Sequence, residues 1–455
     1  MPTLFDKGDA VPPSPGDVAA AQCEGGRPRL RVPHRDQVEM HWAALDEWLE
    51  PDHPVRLVWN CVAGLDLGRW LKRIKAVEGE VGRNATDPRL LVALWVYATV
   101  DGVGSARELE RLCEKHWAYQ WLCGGVRVNY HMLADFRSQG GDAWDALLTQ
   151  IVGALLGQNL VSLKRVAQDG MRVRASAGAA SFRRRPRLQQ ALAEAREQVE
   201  ALKKLADESA EEGSRRRKAA RERAACERQE RLEEALRQCD ALERQREKNA
   251  KMTGKKPVEP RASTTDPVSR VMKFPDGGYR PGYNVEFATD TSSGVIVGVA
   301  VTNNGSDSEA LPPMLEQLQE RYGRVPDEAL VDGGFATLET INQADELGCV
   351  VFSPLREEEK QLAAGKNPYE PKYGDSAAVA AWRERMGTAS AKAIYRLRAQ
   401  TAEWVNAVAR NHGLRFMPMR GETKCRLTGV LHAIAHNLLR GVALRARSAS
   451  VAERP

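Results

Sequence analysis

From Arg187 to Ala250 the chain has no proline and one glycine, Gly213. A stretch this long without breakers predicts helix. Apolar residues recur at Leu188, Leu192, Ala195, Val199, Leu202 and Ala206, and the seam resumes at Ala225, Gln229, Leu232, Leu236 and Cys239. The alternating steps of four and three make a heptad seam, so residues 183–261 are expected to be a charged coiled-coil insertion. A turn at Gly213 gives an antiparallel hairpin; without it the segment is one long bent helix. In both cases it stands apart from a compact core and divides the chain into two flanking regions.

The insertion holds 23 Lys and Arg against 16 Asp and Glu, while the whole chain has a net charge of +6, so the remainder is near neutral. The excess concentrates in Arg183, Arg184 and Arg185 and in Arg215, Arg216, Arg217 and Lys218. These clusters either lie along phosphates, which points to Arg184 and Arg216, or form the solvated face of a salt-bridged hairpin.

The length of 455 residues allows two or three domains. No apolar run approaches the roughly 18 residues a bilayer requires, and the first residues do not form a signal peptide. The 8 cysteines include no CxxC pair, and Cys113 and His116 lack a second ligand pair, which argues against structural zinc and against a disulfide framework. A soluble, cytoplasmic protein is expected.

Residues 1–30 are rich in Gly, Pro and Ala and are expected to form a tail, as are residues 446–455. Residues 31–160 predict an all-helical domain. Its clearest helix starts at Pro88, capped by Thr86 or Asp87, and stops near Gly102 and Gly104. Ser105, with Glu108 three residues on, caps a second helix over 106–117. A helical pair with a Gly-containing turn is a helix-turn-helix shape, which serves either packing or DNA. Further helices are expected around 129–137 and 142–157.

Residues 161–182 and 262–445 alternate strands with helices. A strand is expected to end or turn at Asp169-Gly170, with basic residues Arg172 and Arg174 behind it. Asp-Gly is a common hairpin pair, but an Asp at a strand end is also placed to hold a metal. Strands over 283–290 and 294–302 form a hairpin, a short strand from Ala329 runs into Asp332-Gly333, and another covers 349–354. A long helix is expected over 390–411, on which Arg396, Glu403 and Arg410 lie seven apart and so share a face. A mixed sheet with helices on its faces follows, an α+β class. Two Asp residues ending neighbouring strands repel unless a divalent cation lies between them, and Glu403 is the candidate third acid. The same row fits a surface line of salt bridges.

Four stretches taken together resemble the DDE transposases of bacterial insertion sequences: Gln168-Asp-Gly-Met-Arg-Val-Arg-Ala-Ser-Ala177, Phe274-Pro-Asp-Gly-Gly-Tyr-Arg-Pro-Gly-Tyr-Asn284, Val331-Asp-Gly-Gly-Phe335 and Tyr395-Arg-Leu-Arg-Ala-Gln-Thr-Ala-Glu403. A fifth, Ala435-His-Asn-Leu-Leu-Arg440, resembles the family's closing helix. The group named after insertion sequence eleven-eighty-two, in the wider insertion-sequence-four and -five assemblage, is the most similar. The resemblance implies an RNase-H-like catalytic core and a transposase that cuts and rejoins DNA at the ends of its own element. It implies Asp169, Asp332 and Glu403 as catalytic acids and ligands of Mg²⁺, with Mn²⁺ as a substitute. It maps Tyr395, Arg398 and Arg410 onto positions that contact DNA, with Tyr395 not a nucleophile. One extra residue separates Arg398 from Glu403 relative to the commonest spacing, and Arg410 stands where Lys is usual. Double-stranded DNA, a homodimer on DNA, no membrane and a nucleoid-associated location are implied. The rival readings are an RNase-H-like nuclease without strand transfer, a decayed DNA-binding protein and a structural coiled coil.

Overall fold

The computed structural model describes residues 42–79, 83–206, 212–254, 256 and 258–452. The chain forms two compact units, residues 1–48 and 49–455. In the first, the described residues include a 3-10 turn, Leu45–Trp48. The second carries everything that follows. The tails expected at 1–30 and 453–455 lie outside the described residues; residues 446–452 continue the last helix.

Helices α1 (Pro54–Ala63), α2 (Gly68–Leu71), α3 (Pro88–Val100), α4 (Ala106–Lys115), α5 (Trp117–Cys123), α6 (Tyr130–Gln139) and α7 (Gly141–Gly157) come first. Their starts follow side-chain chemistry. Asp87 accepts from the Arg89 N–H at 2.8 Å with Pro88 at the first position, and Asn129 accepts from the Met132 N–H at 2.9 Å. The helix expected over 106–117 is two helices, because His116 is extended (φ −116°, ψ 126°). α3 is buried from Leu90 to Thr99 and packs on α1, α5 and the last helix, so it is a core helix, with Arg89 exposed at its start. Of the supposed helix-turn-helix pair, α4 alone has an exposed side, with Arg107 and Arg111.

Strand β1 (Arg165–Arg174) is followed by a two-stranded ribbon, β2 (Phe182–Arg183) and β3 (Ala262–Ser263), which closes the base of the insertion. Between them lie α8 (Arg185–Ala206) and α9 (Glu212–Thr253). They pack antiparallel: Arg185 pairs with Asp240 and Glu243, whereas Arg196, further along α8, pairs with Glu233, further back along α9. Leu188, Leu192, Ala195, Leu232, Ala235 and Cys239 form a separate apolar cluster between them. The single bent helix is thereby excluded. Gly213 sits in the first turn of α9, and the connection at 207–211 lies outside the described residues.

The remaining strands are β4 (Arg270–Lys273), β5 (Tyr279–Asp290), β6 (Ile296–Thr302), β7 (Glu328–Leu330) and β8 (Val350–Phe352). β1 lies between β5, to which it is antiparallel, and β7, to which it is parallel; β7 is parallel to β8, and β5 also pairs antiparallel with β4 and β6. Helices α10 (Leu311–Tyr322), α11 (Leu338–Glu346), α12 (Glu358–Ala363), α13 (Ala377–Met386), α14 (Ala389–Tyr395), a π-turn (Ala399–Glu403), α15 (Trp404–Asn411) and α16 (Glu422–Ala452) complete the chain. This is a mixed α+β architecture. One continuous core joins α1, α3 and α7 through α16 to β5 and β6, and a second cluster lies around β7, β8 and α13. The turn between α3 and α4 touches the end of α15 backbone to backbone. A Cβ on Gly413 (φ +89°) would lie 2.9 Å from the Gly102 carbonyl oxygen.

One expectation fails at β1. The strand neither ends nor turns at Asp169-Gly170, because β5 pairs through both, Phe287 opposite Asp169 and Glu286 opposite Gly170. A side chain there would have to displace its neighbours. A Cβ at Gly170 would lie 2.9 Å from Asn284 Oδ1 and 3.0 Å from Asp307 Oδ1.

Candidate active site

Alternation along β1 sends Asp169 and Arg172 to opposite faces. Asp169 is largely buried, and both of its carboxylate oxygens are engaged. Arg398 Nη2 donates to Oδ1 at 2.8 Å, and Asn406 Nδ2 donates to Oδ2 at 2.9 Å. The other limb of the same guanidinium, Nη1, donates to Glu403 Oε1 at 3.0 Å. Arg398 thus bridges the first and third candidate acids.

The local backbone makes this bridge possible. The helix expected over 390–411 is broken: α14 ends at Tyr395, and residues 399–403 form a π-turn before α15. A π-turn stacks residues five apart where an α-turn stacks residues four apart. The extra residue between Arg398 and Glu403 is absorbed there, and the two side chains still meet. The expected face of Arg396, Glu403 and Arg410 assumed an unbroken α-helix; Arg398 is the residue that faces Glu403.

Asp332 follows β7, the parallel neighbour of β1, and is exposed; its Oδ1 accepts from the Gly333 N–H at 2.6 Å. Burial raises the Asp169 carboxyl above its ordinary value, Arg398 and Asn406 oppose this, and repulsion from Asp332 adds to it. For Arg398, burial works against the charge, but Asp169, with Asp332 and Glu403, outweighs it and holds the guanidinium protonated more firmly than usual. Tyr395 packs against the second core cluster, and burial raises its phenol despite Arg398, which keeps it neutral.

The basic candidates separate. Arg174 is exposed at the end of β1, where its N–H donates to the Arg415 carbonyl at 3.2 Å, and Arg415 Nε donates to the Arg410 carbonyl at 3.1 Å. Arg174 and Arg410 therefore converge on a third arginine that the sequence reading missed. Arg172, two residues before Arg174 and so on the same face of β1, opposite Asp169, donates to the Gly305 carbonyl at 2.9 Å. Arg184 pairs with Glu259 at 2.9 Å at the base of the insertion. The Arg216 side chain lies outside the described residues. Asn406 was also missed; its signal was a polar residue between Val405 and Ala409 on the buried side of α15.

Among the described residues no three His, Cys, Asp or Glu side chains gather closely enough to hold a metal ion. The donor types nevertheless suit one. Three carboxylates and Asn406 Oδ1, which is buried without a hydrogen-bond partner, make an all-oxygen set of the kind that takes Mg²⁺ or Mn²⁺.

A mixed sheet with carboxylates on its central strand, after that strand's parallel neighbour and on a C-terminal helix is an arrangement consistent with a DDE transposase. Residues 250–438 match the family described as transposase DDE domain; they include Asp332, Arg398, Glu403 and Asn406 and begin beyond Asp169. Residues 43–139, which span α1 to α6, match the family described as Transposase domain (DUF772). No curated protein and no solved structure matches the chain. The two family matches support an insertion-sequence transposase, an enzyme acting on DNA in transposition and recombination. Enzymes with this domain generally use divalent metals. Among the described residues no helix is long and apolar enough to cross a membrane.

Proposed function

We propose that this protein catalyses metal-dependent cleavage and strand transfer at the ends of an insertion sequence of the eleven-eighty-two group. The observation that carries the reading is the Arg398 bridge. It draws together Asp169 and Glu403 from distant parts of the chain, beside the strand that leads to Asp332. An RNase-H-like core at 161–182 and 262–445 is supported by the order of β6, β5, β1, β7 and β8, the first three antiparallel and the last two parallel to β1.

Asp169, Asp332 and Glu403 would hold Mg²⁺, and Asn406 orients Asp169 through Oδ2. When bound, the metal supplies an activated water or 3′-hydroxyl and stabilises the leaving oxygen. Exposed Arg174, Arg410 and Arg415 offer a basic edge for the DNA backbone, joined by Arg172, which shares the face of β1 that Arg174 occupies. Tyr395, neutral and packed, contacts DNA and does not attack phosphate. The arm at 183–261, read as a coiled coil carrying Arg184 and Arg216, engages DNA or a second subunit. The helical domain at 31–160 contributes to DNA binding through the exposed side of α4. Joining two ends requires a homodimer on double-stranded DNA, in the cytoplasm at the nucleoid.

The test is Mg²⁺-dependent cleavage of a duplex carrying the element's own end, comparing wild type with Asp332→Asn. Cleavage should vanish in the variant while DNA binding survives, and wild type should join the cut end to a target duplex. Equal cleavage by both proteins would remove Asp332 from the site. Cutting without joining would favour the nuclease reading.

A further inference from the structure

We infer that Arg398 is an internal counter-ion that excludes metal from the acid site until a DNA phosphate draws it away. The inference rests on the metal-dependent reading above and adds to it an order of assembly.

The Arg398 fork lies between Asp169 and Glu403, at 2.8 and 3.0 Å, which is where an ion ligated by both carboxylates would have to lie. The site contains three carboxylates and one guanidinium, so it is compensated only in part. A divalent cation placed between the same two carboxylates would press against the guanidinium, and like charges in a poorly solvated cleft repel strongly. The two cations are therefore alternatives. With Arg398 in place, the acids are not gathered around a common point.

The arginine-bound arrangement is also incompletely satisfied. Arg398 Nε and Asn406 Oδ1 are buried without hydrogen-bond partners. A buried donor and a buried acceptor left unpaired cost free energy, which lowers the cost of leaving this state. The way out runs past Glu403, whose side chain is 55% exposed against 11% for Arg398. A phosphate arriving on that side offers the guanidinium a second bidentate anion. Once it turns outward, Asp169 and Glu403 are left uncompensated and take up metal. DNA and metal binding then reinforce each other, as linkage demands of any such pair.

The experiment is Mn²⁺ binding to the full chain at low salt, followed by electron paramagnetic resonance of the free ion. Wild type, Arg398→Gln and Arg398→Lys are each measured with and without a blunt duplex of arbitrary sequence, with binding to the duplex alone subtracted. Circular dichroism checks that each variant is folded. Duplex should tighten Mn²⁺ binding to wild type by about tenfold. Arg398→Gln should bind tightly without DNA and gain little from it, and Arg398→Lys should fall between. If Arg398→Gln binds Mn²⁺ no tighter than wild type, or if duplex leaves the wild-type affinity unchanged, the inference is overturned. In that case Mn²⁺ binding that Asp332→Asn abolishes would leave the metal-dependent reading standing; no Mn²⁺ binding by any protein would remove both. Should Arg398→Gln fail to fold, the duplex effect on wild type decides.

Discussion

Arg398 and Glu403 are five residues apart in a helical segment, yet their side chains meet at 3.0 Å, because the backbone between them makes a π-turn. Removing one residue from that turn should let it relax to an α-turn, in which residues four apart meet. Gln400 is exposed, so its deletion takes nothing from the core. The Gln400 deletion should stay within about 1 kcal/mol of wild type in urea unfolding. Deleting Ala407 instead, inside α15, shifts the buried positions Val405 and Ala409 relative to each other and should cost more than about 3 kcal/mol. Equal losses for the two deletions would refute the π-turn as the place where the extra residue is absorbed.

Asn406→Ala removes the donor to Asp169 Oδ2 and leaves that buried oxygen without a partner. A loss of about 1–3 kcal/mol is expected in urea unfolding. Metal-dependent cleavage should fall while duplex affinity in gel shift does not, since Asn406 is buried and presents nothing to DNA. A variant as stable as wild type would show that the Asp169–Asn406 pair contributes little.

Glu286 lies opposite Gly170 on β5, and its carboxyl is pushed up to about 7, chiefly by burial, with Gln168 at 2.7 Å and Asn284 at 3.0 Å acting against the shift. The folded protein thus holds this proton to higher pH than the unfolded chain does. The associated stability is present below the ordinary value of 4.5 and is lost as pH rises through about 7. Set against Glu286→Gln, which cannot ionise, wild type should fall behind by on the order of 3 kcal/mol across that window. Buried His432 and His436, held down at about 3 and about 4, add stability to both proteins over the same rise. Parallel profiles from pH-dependent urea melts would assign the loss elsewhere.

Gly413→Ala adds a Cβ 2.9 Å from the Gly102 carbonyl oxygen at a backbone angle of φ +89°. Backbone meets backbone here, so no side chain can move aside. The substitution should cost about 2–4 kcal/mol by combining strain with overpacking. Gly323→Ala, at φ +72° with open space around it, should cost only the strain. Comparing the two by thermal melting separates the contact from the dihedral angle.

The parts of this fold that were legible are those whose cause is local. Asp87 and Pro88 announce α3, alternation from Tyr283 announces β5, and the apolar run from Ala329 leads to Asp332 as expected. Asp169 is expected at a strand end and lies in mid-strand. Asp-Gly favours a turn locally, and only pairing with Phe287 and Glu286, far along the chain, keeps the strand straight. The helix-turn-helix shape left packing and DNA binding open, and only its first helix has a sequence that decides between surface and core. The apolar residues of α3 run all the way round it, and such a helix belongs inside. The π-turn has no signature of its own. The unusual spacing between Arg398 and Glu403 was visible, but its resolution depends on Asp169, a residue on another element. Asn406 was passed over because a buried asparagine acquires meaning only once its carboxylate partner is known.

The insertion between β1 and β5 also governs when the protein becomes itself. Asp169 finds Arg398 229 residues later and Asn406 237 residues later. Closing so long a loop costs entropy before any contact repays it, and contacts this distant in sequence form slowly. During synthesis the hairpin of α8 and α9 can fold from its own neighbours, and β5 and β6 can pair soon afterwards. The acid on β1 must wait for nearly the whole chain. A polypeptide interrupted between Phe352 and Arg398 has its first carboxylate and its sheet but neither the third acid nor the bridge to it. The Arg398 bridge between Asp169 and Glu403 forms as one of the last events of folding, and no fragment that stops short of Glu403 possesses it.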